Sequence, residues 1–163
     1  MKRLILFAII NTVLTLGYCQ PHNCNRKDTI LCMCLKDDRG VQYELVQTID
    51  LKNNYWIDST RKIIILYNTN KAIIHLPVPD EDVKNFSVDG INKKYNGFKI
   101  ITSQGGGPFI IRRYFYFRSN HNQIYLHKIV SEFLNLDSKR KKKDIAILHP
   151  RLQITEIDLI QFL

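Results

Sequence analysis

The sequence predicts an α+β fold that is mainly antiparallel β, with hairpins, a C-terminal meander and a short C-terminal helix. Three observations support this class: short segments rich in β-branched and aromatic residues, turn residues between them, and helix-start signals near the C-terminus. The 163 residues are 45% hydrophobic and 10% aromatic, which suits one packed domain. With 7 glycines and 5 prolines, the composition excludes collagen-like and low-complexity chains.

The N-terminal residues predict export. Lys2 and Arg3 precede an apolar stretch over residues 4–17 that is broken by two polar residues. This pattern is typical of a secretory signal peptide, and it is shorter than the roughly 18 consecutive apolar residues that a transmembrane helix needs. We therefore expect a signal peptide over residues 1–19, a single β-rich domain over residues 20–163, and a secreted or periplasmic location. An uncleaved anchor is the alternative.

Cysteines are concentrated at the start of the expected domain. In an exported chain, a disulfide that joins Cys24 to Cys32 or Cys34 is the favoured interpretation. Cys32 and Cys34 are two positions apart, so they share one face of a strand and are poorly placed to bond each other. A metal cluster that includes His22 is the alternative, although the spacing matches no structural zinc pattern.

The first half of the expected domain predicts two strands and a hairpin. Residues 29–35 and 41–45 have β-type patterns, and the second of these segments alternates apolar and polar side chains. Residues 62–67 form a β-branched run, and residues 71–76 return after turn residues, so the two segments predict a hairpin. The polar stretch 80–92 is expected to be largely irregular.

The second half predicts a meander followed by one strand and one helix. Residues 97–102, 110–117 and 124–130 are the three strands of the meander, with glycine-rich or polar turns between them. Residues 145–148 predict a further strand, which a His-Pro pair is expected to end. Residues 155–163 predict a short helix with the first threonine as its N-cap.

The aromatic strand within this meander has two unlike faces. Alternation places Phe115 and Phe117 on one face and Tyr114 and Tyr116 on the other. Phenylalanine suits the core, whereas tyrosine and arginine tolerate a half-exposed site. We therefore predict that the second face binds another protein, with hot-spot chemistry supplied by Arg112, Tyr114, Tyr116 and Arg118.

The formal net charge of +9 is unevenly distributed. Loss of Lys2 and Arg3 with the leader would leave +7, of which the run over residues 139–143 holds five charges. Five adjacent cations repel one another, so a solvated loop is the favoured interpretation. A patch that binds an anionic lipid or polymer is the alternative, and nucleic acid is not expected as a partner. The basic patch consists of Lys139, Arg140, Lys141, Lys142 and Lys143.

Catalytic motifs are absent from the sequence, so we expect a protein that is not an enzyme and carries no cofactor. His75, His121, His127 and His149 have neither HxxxH nor HExxH spacing, and no GxSxG motif occurs. We interpret these histidines as structural or surface residues. An uncharacterised hydrolase or metal enzyme that uses them is the alternative.

The stretch from Gly97 to Ile129 resembles the C-terminal meander of small exported bacterial proteins, some of which are similar to periplasmic immunity proteins that neutralise secreted toxins. The similar features are the aromatic strand over residues 113–117, a polar turn, the segment 125–129, and the acidic-apolar ending 157–159. The resemblance implies tight protein binding without catalysis and assigns no residue roles. The favoured hypothesis is an exported immunity or inhibitor protein.

Overall fold

A computed structural model describes the chain as a nearly all-β protein. Its strands form two five-stranded sheets, here sheet A and sheet B. The expectation of a mainly antiparallel β fold is confirmed. The predicted signal peptide and Cys24 lie outside the described residues, which are 29–50, 60–67, 70–77, 83, 85–120 and 123–163.

Sheet A has the strand order β1-β2-β3-β4-β10. Its first four strands are antiparallel neighbours, which confirms the predicted strand pairing of the first hairpin. The short strand β10 is parallel to β4, with Ile157 opposite Ile74 and Asp158 opposite His75. The strands of sheet A are β1 Thr29–Lys36, β2 Gln42–Asp50, β3 Thr60–Tyr67, β4 Asn70–Leu76 and β10 Glu156–Asp158.

Sheet B is an antiparallel meander in sequence order. Its three central strands are the three that the sequence predicts, and each is longer than expected. Two further strands flank them and make the meander five-stranded. The last of these contains the strand predicted over residues 145–148, but the predicted end at the His-Pro pair is wrong. This edge strand accommodates Pro150 at an irregularity in its pairing and continues to Ile154. The strands of sheet B are β5 Ser87–Lys94, β6 Gly97–Gly106, β7 Phe109–Asn120, β8 Gln123–Asn135 and β9 Arg140–Ile154.

The two sheets pack face to face over one hydrophobic core. Tyr43 of sheet A meets Phe98 of sheet B with ring centroids 5.2 Å apart in an edge-on arrangement. Phe98 in turn stacks on Phe117 of the neighbouring strand at 5.0 Å. The large side chains that are fully buried in this core include Tyr43, Leu45, Ile63, Ile65, Ile74, Phe98, Ile100, Phe115, Phe117 and Leu126.

A polar network joins the two sheets beside this core. The Tyr43 hydroxyl lies 3.1 Å from a carboxylate oxygen of Asp37 and 2.8 Å from Ser119 Oγ. Arg39 Nη2 donates to the same Ser119 oxygen at 2.8 Å. Asp37 also accepts hydrogen bonds from the backbone N–H groups of Arg39 and Val41. Because a buried carboxylate is costly without such partners, this network ties the β1–β2 turn to the end of β7.

Two predictions are wrong in part: the irregular stretch over residues 80–92 and the helix over residues 155–163. Residues 87–94 form strand β5, because pairing with β6 supplies a ladder that the polar composition does not reveal. Residues 156–158 pair with β4 instead of starting a helix. A single 3₁₀ turn, Leu159–Phe162, follows, and Asp158 caps it by accepting from the Ile160 N–H at 2.9 Å.

No helix with the length and apolar character needed to cross a membrane occurs among the described residues.

A β-bulge at His127 changes which side chains of β8 face the core. Tyr116 of β7 pairs with Lys128, whereas the next residue of β7 pairs with Leu126, so His127 has no opposite residue. Leu126 and Ile129 are both buried as a result, although they are three positions apart. The bulge also brings the His127 ring within contact of Tyr116.

Candidate functional site

The outer surface of sheet B carries the four residues predicted to bind a partner. Strand β7 buries Phe115 and Phe117 in the core and turns the half-buried Tyr114 and Tyr116 to the opposite side, so the predicted division of the strand is confirmed. Arg112 and Arg118 are exposed farther along the same side. The tyrosine face is defined here as Lys99, Arg112, Tyr114, Tyr116, Arg118 and Lys128.

Each tyrosine ring of this face lies beneath a lysine ammonium. Lys99 Nζ is 5.1 Å from the ring centroid of Tyr114, and Lys128 Nζ is 4.2 Å from that of Tyr116. Strand register explains the arrangement, because β6 and β8 flank β7 and place Lys99 and Lys128 on either side of Tyr116. Burial, and to a smaller extent the charge of Lys94, lowers the pKa of Lys99. These cation–π contacts orient the rings and surround them with positive charge.

Arg112 marks one end of the tyrosine face. Its Nε atom is 3.7 Å from Asp89 Oδ2, while Asp89 Oδ1 accepts hydrogen bonds from the hydroxyls of Ser87 at 2.6 Å and Ser103 at 2.8 Å. The carboxylate is therefore held mainly by the two serines of β5 and β6. The Arg112 side chain remains 44% exposed.

Glu132 connects the tyrosine face to the basic run. The Tyr114 hydroxyl donates to Glu132 Oε2 at 3.1 Å, and the same carboxylate lies 3.1 Å from Lys141 Nζ and 4.0 Å from Lys143 Nζ. The hydrogen-bonded Lys141 ammonium lowers the pKa of Glu132, and the Tyr114 hydroxyl acts in the same direction against the effect of burial. The charge of Glu132 is therefore already neutralised from within the sheet.

His127 lies in the positive field of this surface. Its ring centroid is 6.3 Å from that of Tyr116, in an edge-on arrangement. Burial, followed by the charges of Arg118, Lys128 and Arg151, lowers the pKa of His127 to about 4. The imidazole is consequently neutral at neutral pH and adds no positive charge to the face.

The basic run belongs to an edge strand, so the loop predicted for it is wrong beyond Lys139. Residues 140–143 begin β9 and pair with residues 132–135 of β8. All five cations are exposed, and Lys142 Nζ reaches Asp144 at 3.1 Å. Lysines at an exposed sheet edge oppose pairing with other chains. This edge role explains why a highly charged run is compatible with a strand.

The structure does not bring the predicted histidines together. His75 belongs to sheet A, where its Nε2 atom lies 2.7 Å from Glu156 Oε1, whereas His127 and His149 belong to sheet B. His121 lies outside the described residues. In the described part of the chain, no three His, Cys, Asp or Glu side chains are grouped so that they could hold a metal ion. The hydrolase alternative stays a prediction.

Cys32 and Cys34 lie in β1, where both are half-buried and share one face of the strand. Their register partners in β2 are Val46 and Glu44. The predicted disulfide partner Cys24 lies outside the described residues. The pairing therefore stays a prediction.

Sequence reasoning missed the residues that neighbouring strands place on the tyrosine face or beside it. Lys99 and Lys128 come from β6 and β8, and Glu132 comes from farther along β8. Each of these strands shows alternation, but alternation does not give the register between strands. For Lys128, alternation does not even give the correct side of the sheet, because the bulge at His127 shifts the alternation along β8.

Comparison of the chain with protein-family models, with curated proteins and with solved structures finds no match. The resemblance to immunity proteins therefore stays a prediction. Support for a function comes from the geometry of the described residues.

Proposed function

We propose that this chain is an exported protein-binding domain of the immunity or inhibitor type, and that the tyrosine face contacts its partner. The observation that carries the proposal is the pair of half-buried tyrosine rings, each beneath a lysine ammonium, between exposed Arg112 and Arg118. Tyrosine and arginine dominate interface hot spots because they combine apolar area with directional hydrogen bonding.

The charge of the tyrosine face favours a partner with an acidic surface. The nearby carboxylates are already engaged, Asp89 by Arg112 and two serines, and Glu132 by two lysines of β9. Lys99, Arg118 and Lys128 make no ion pair with another described residue. Complementary charge steers association and excludes wrong partners. We therefore expect aspartate or glutamate side chains in the partner around an apolar centre.

The tyrosine face is also preorganised. Tyr114 and Tyr116 stand on a strand whose opposite side is anchored by Phe115 and Phe117 in the core. Strands β6 and β8 pair with β7 on both sides, so the backbone beneath the rings is fixed by two ladders. A surface that is already ordered loses little conformational entropy on binding.

The proposal is tested by comparative capture from the extracellular or envelope fraction of the source cells. The bait is the exported form of the chain, either unchanged or as Tyr114→Ser/Tyr116→Ser. Tyr95→Ser is the matched control, because Tyr95 is 68% exposed in the β5–β6 turn and lies outside the tyrosine face. Thermal unfolding of each bait verifies that it is folded.

We expect one acidic protein to be captured by the unchanged chain and by Tyr95→Ser, and to be lost with the double variant. Neutralisation of that protein's toxicity by the chain would support the immunity type. Equal capture by all three baits, or capture of a protein only through another surface, would contradict the proposed face.

A further inference from the structure

One end of sheet B combines exposed apolar side chains with cations. Gly106, Phe109, Asn135 and Arg140 pair in one row across β6 to β9, so the β6–β7 and β8–β9 turns project from the same end. Phe109 is 57% exposed, and Leu136 in the second turn is 54% exposed. The basic tip is defined here as Phe109, Leu136, Lys139, Arg140, Lys141 and Lys142.

The two turns of the basic tip are held together by backbone contacts. The Leu136 N–H donates to the Pro108 carbonyl oxygen at 2.8 Å, which links the two turns directly. Gly105 allows β6 and β7 to close tightly, because its φ is 141° and a Cβ there would lie 2.2 Å from the Phe109 carbonyl oxygen. Both exposed apolar side chains are thereby kept at one end of the sheet.

Behind these turns, apolar residues of β8 lie opposite cationic residues of β9. Phe133 pairs with Lys142 and Leu134 with Lys141, and Lys142 Nζ lies 5.7 Å from the Phe133 ring centroid. A cavity of about 420 Å³ lies among them, and Phe109 contributes to its lining. The end of the sheet therefore offers apolar surface and positive charge within one small region.

Carboxylates near the basic tip neutralise only part of its charge. Glu132 pairs with Lys141, and Asp144 pairs with Lys142. Asp137 is exposed in the turn itself. Lys139 and Arg140 form no ion pair with another residue of the described ranges. The tip keeps a positive excess beside its two exposed apolar side chains.

We propose that the basic tip docks on an anionic lipid surface, independently of the tyrosine face. Phe109 and Leu136 would enter the boundary between headgroups and acyl chains, while the cations meet the lipid phosphates. A soluble polyanion would contact the cations but leave both apolar side chains in water. Placement of these side chains at projecting turns fits a membrane surface better than it fits the flatter face of a partner protein.

The test measures cosedimentation of the exported form with vesicles of phosphatidylcholine alone or of phosphatidylcholine with phosphatidylglycerol. We expect binding to the anionic vesicles, with loss at high salt because the Debye length shrinks from about 10 Å at 0.1 M to about 3 Å at 1 M. Lys139→Gln/Arg140→Gln should weaken partitioning by about fivefold for each charge removed. Phe109→Ser/Leu136→Ser should weaken it by at least about tenfold.

The control variant changes the opposite end of the sheet. Lys94→Gln/Tyr95→Ser removes a cation from the end of β5 and an exposed aromatic ring from the β5–β6 turn, and should bind anionic vesicles as the unchanged chain does. Every variant keeps the same N-terminus, and circular dichroism verifies its fold. Equal vesicle binding by all variants, or equal binding to neutral vesicles, would overturn the proposal.

Two further results would assign the tip to another occupant and so overturn the lipid proposal. One is absent vesicle binding together with retention on a heparin column that Phe109→Ser/Leu136→Ser leaves unchanged, which indicates a polyanion. The other is absent vesicle binding together with capture of a protein that this double variant abolishes.

Discussion

The two faces of strand β7 differ in what their aromatic residues do. Phe115 and Phe117 are buried at 0% and 1% exposure and belong to the core shared by both sheets. Tyr114 and Tyr116 alternate with them along the same backbone, yet they lie under lysines on the outer surface. One strand therefore contributes to the core on one side and carries the proposed recognition surface on the other. We expect substitutions on the two faces to affect different measurements.

Two adjacent arginines extend the comparison. Arg113 is 5% exposed on the core side, where its Nη2 atom donates to the Leu163 carbonyl oxygen at 2.5 Å and burial lowers its pKa. Arg112 lies on the outer side, exposed beside Asp89. The same residue type is thus structural at one position and available for binding at the next.

The largest difference between the faces is expected for aromatic truncation. Phe117→Ala should lower the free energy of unfolding by about 3–5 kcal/mol, since it removes a fully buried ring and leaves a cavity. Tyr116→Ala should lower it by only about 1–2 kcal/mol, since it removes a cation–π contact and part of the apolar area of a half-buried ring. Urea unfolding of both variants measures the difference. Equal losses of unfolding free energy in the two variants would contradict the division of β7 into a core face and an outer face.

The adjacent arginines should show the same difference on a smaller scale. Arg113→Ala should lower the free energy of unfolding by about 1.5–3 kcal/mol, because it removes a charge-assisted hydrogen bond from a buried site. Arg112→Ala should change it by about 0.5 kcal/mol or less, as for an exposed ion pair. Denaturant titrations of both variants measure these changes, since a shift of the midpoint at a constant m-value reports a change in stability. A larger effect at Arg112 would contradict the assignment of faces.

The pH dependence of stability should reveal the bulge on the outer face. Since the pKa of His127 is about 4 in the folded protein and about 6.5 when unfolded, the unfolded state binds more protons between these values. His127 therefore leaves the free energy of unfolding undiminished above about pH 6.5. As the pH falls from there towards 4, the free energy of unfolding decreases, because the unfolded state takes up the proton first. His127→Gln should flatten the pH profile of the unfolding midpoint in this window. The exposed His149→Gln is the control, and equal profiles for the two variants would contradict this explanation.

The smallest effect is expected where the outer face meets the edge strand. Lys141→Gln removes the closest ion-pair partner of Glu132, but the lysine side chain is 53% exposed. The free energy of unfolding should fall by about 1 kcal/mol or less. A urea titration at low and high salt measures the loss, which salt should reduce. A loss comparable to that of Phe117→Ala would show that the cations of β9 are structural.

Much of the fold could be predicted from the sequence, because periodicity reports which side of a strand is buried. The two faces of β7 and the central strands of the meander follow from alternation alone. Strand β5 and the basic start of β9 could not be predicted, since the polar or cationic residues in them are stabilised as strands by pairing with β6 and β8. The parallel pairing of Ile157 with Ile74 likewise overrides the local helix signals.

Only part of the candidate site could be predicted from the sequence. Tyr114 and Tyr116 could be placed on one side from the sequence of β7. Lys99 and Lys128 could not be placed over them, because cross-strand register depends on turns and bulges far from the rings. The exposed tip at Phe109 and Leu136 was also hidden, since it requires two turns to meet at one end of the sheet.

The affinity of the captured partner for Tyr116→Ser tests the central claim most directly. Isothermal titration calorimetry would compare the purified partner with the unchanged chain, with Tyr116→Ser and with Tyr95→Ser. The tyrosine face predicts a dissociation constant at least about tenfold higher for Tyr116→Ser, a typical hot-spot effect, and no change for Tyr95→Ser. Equal affinity for all three proteins, with each shown to be folded, would contradict the claim.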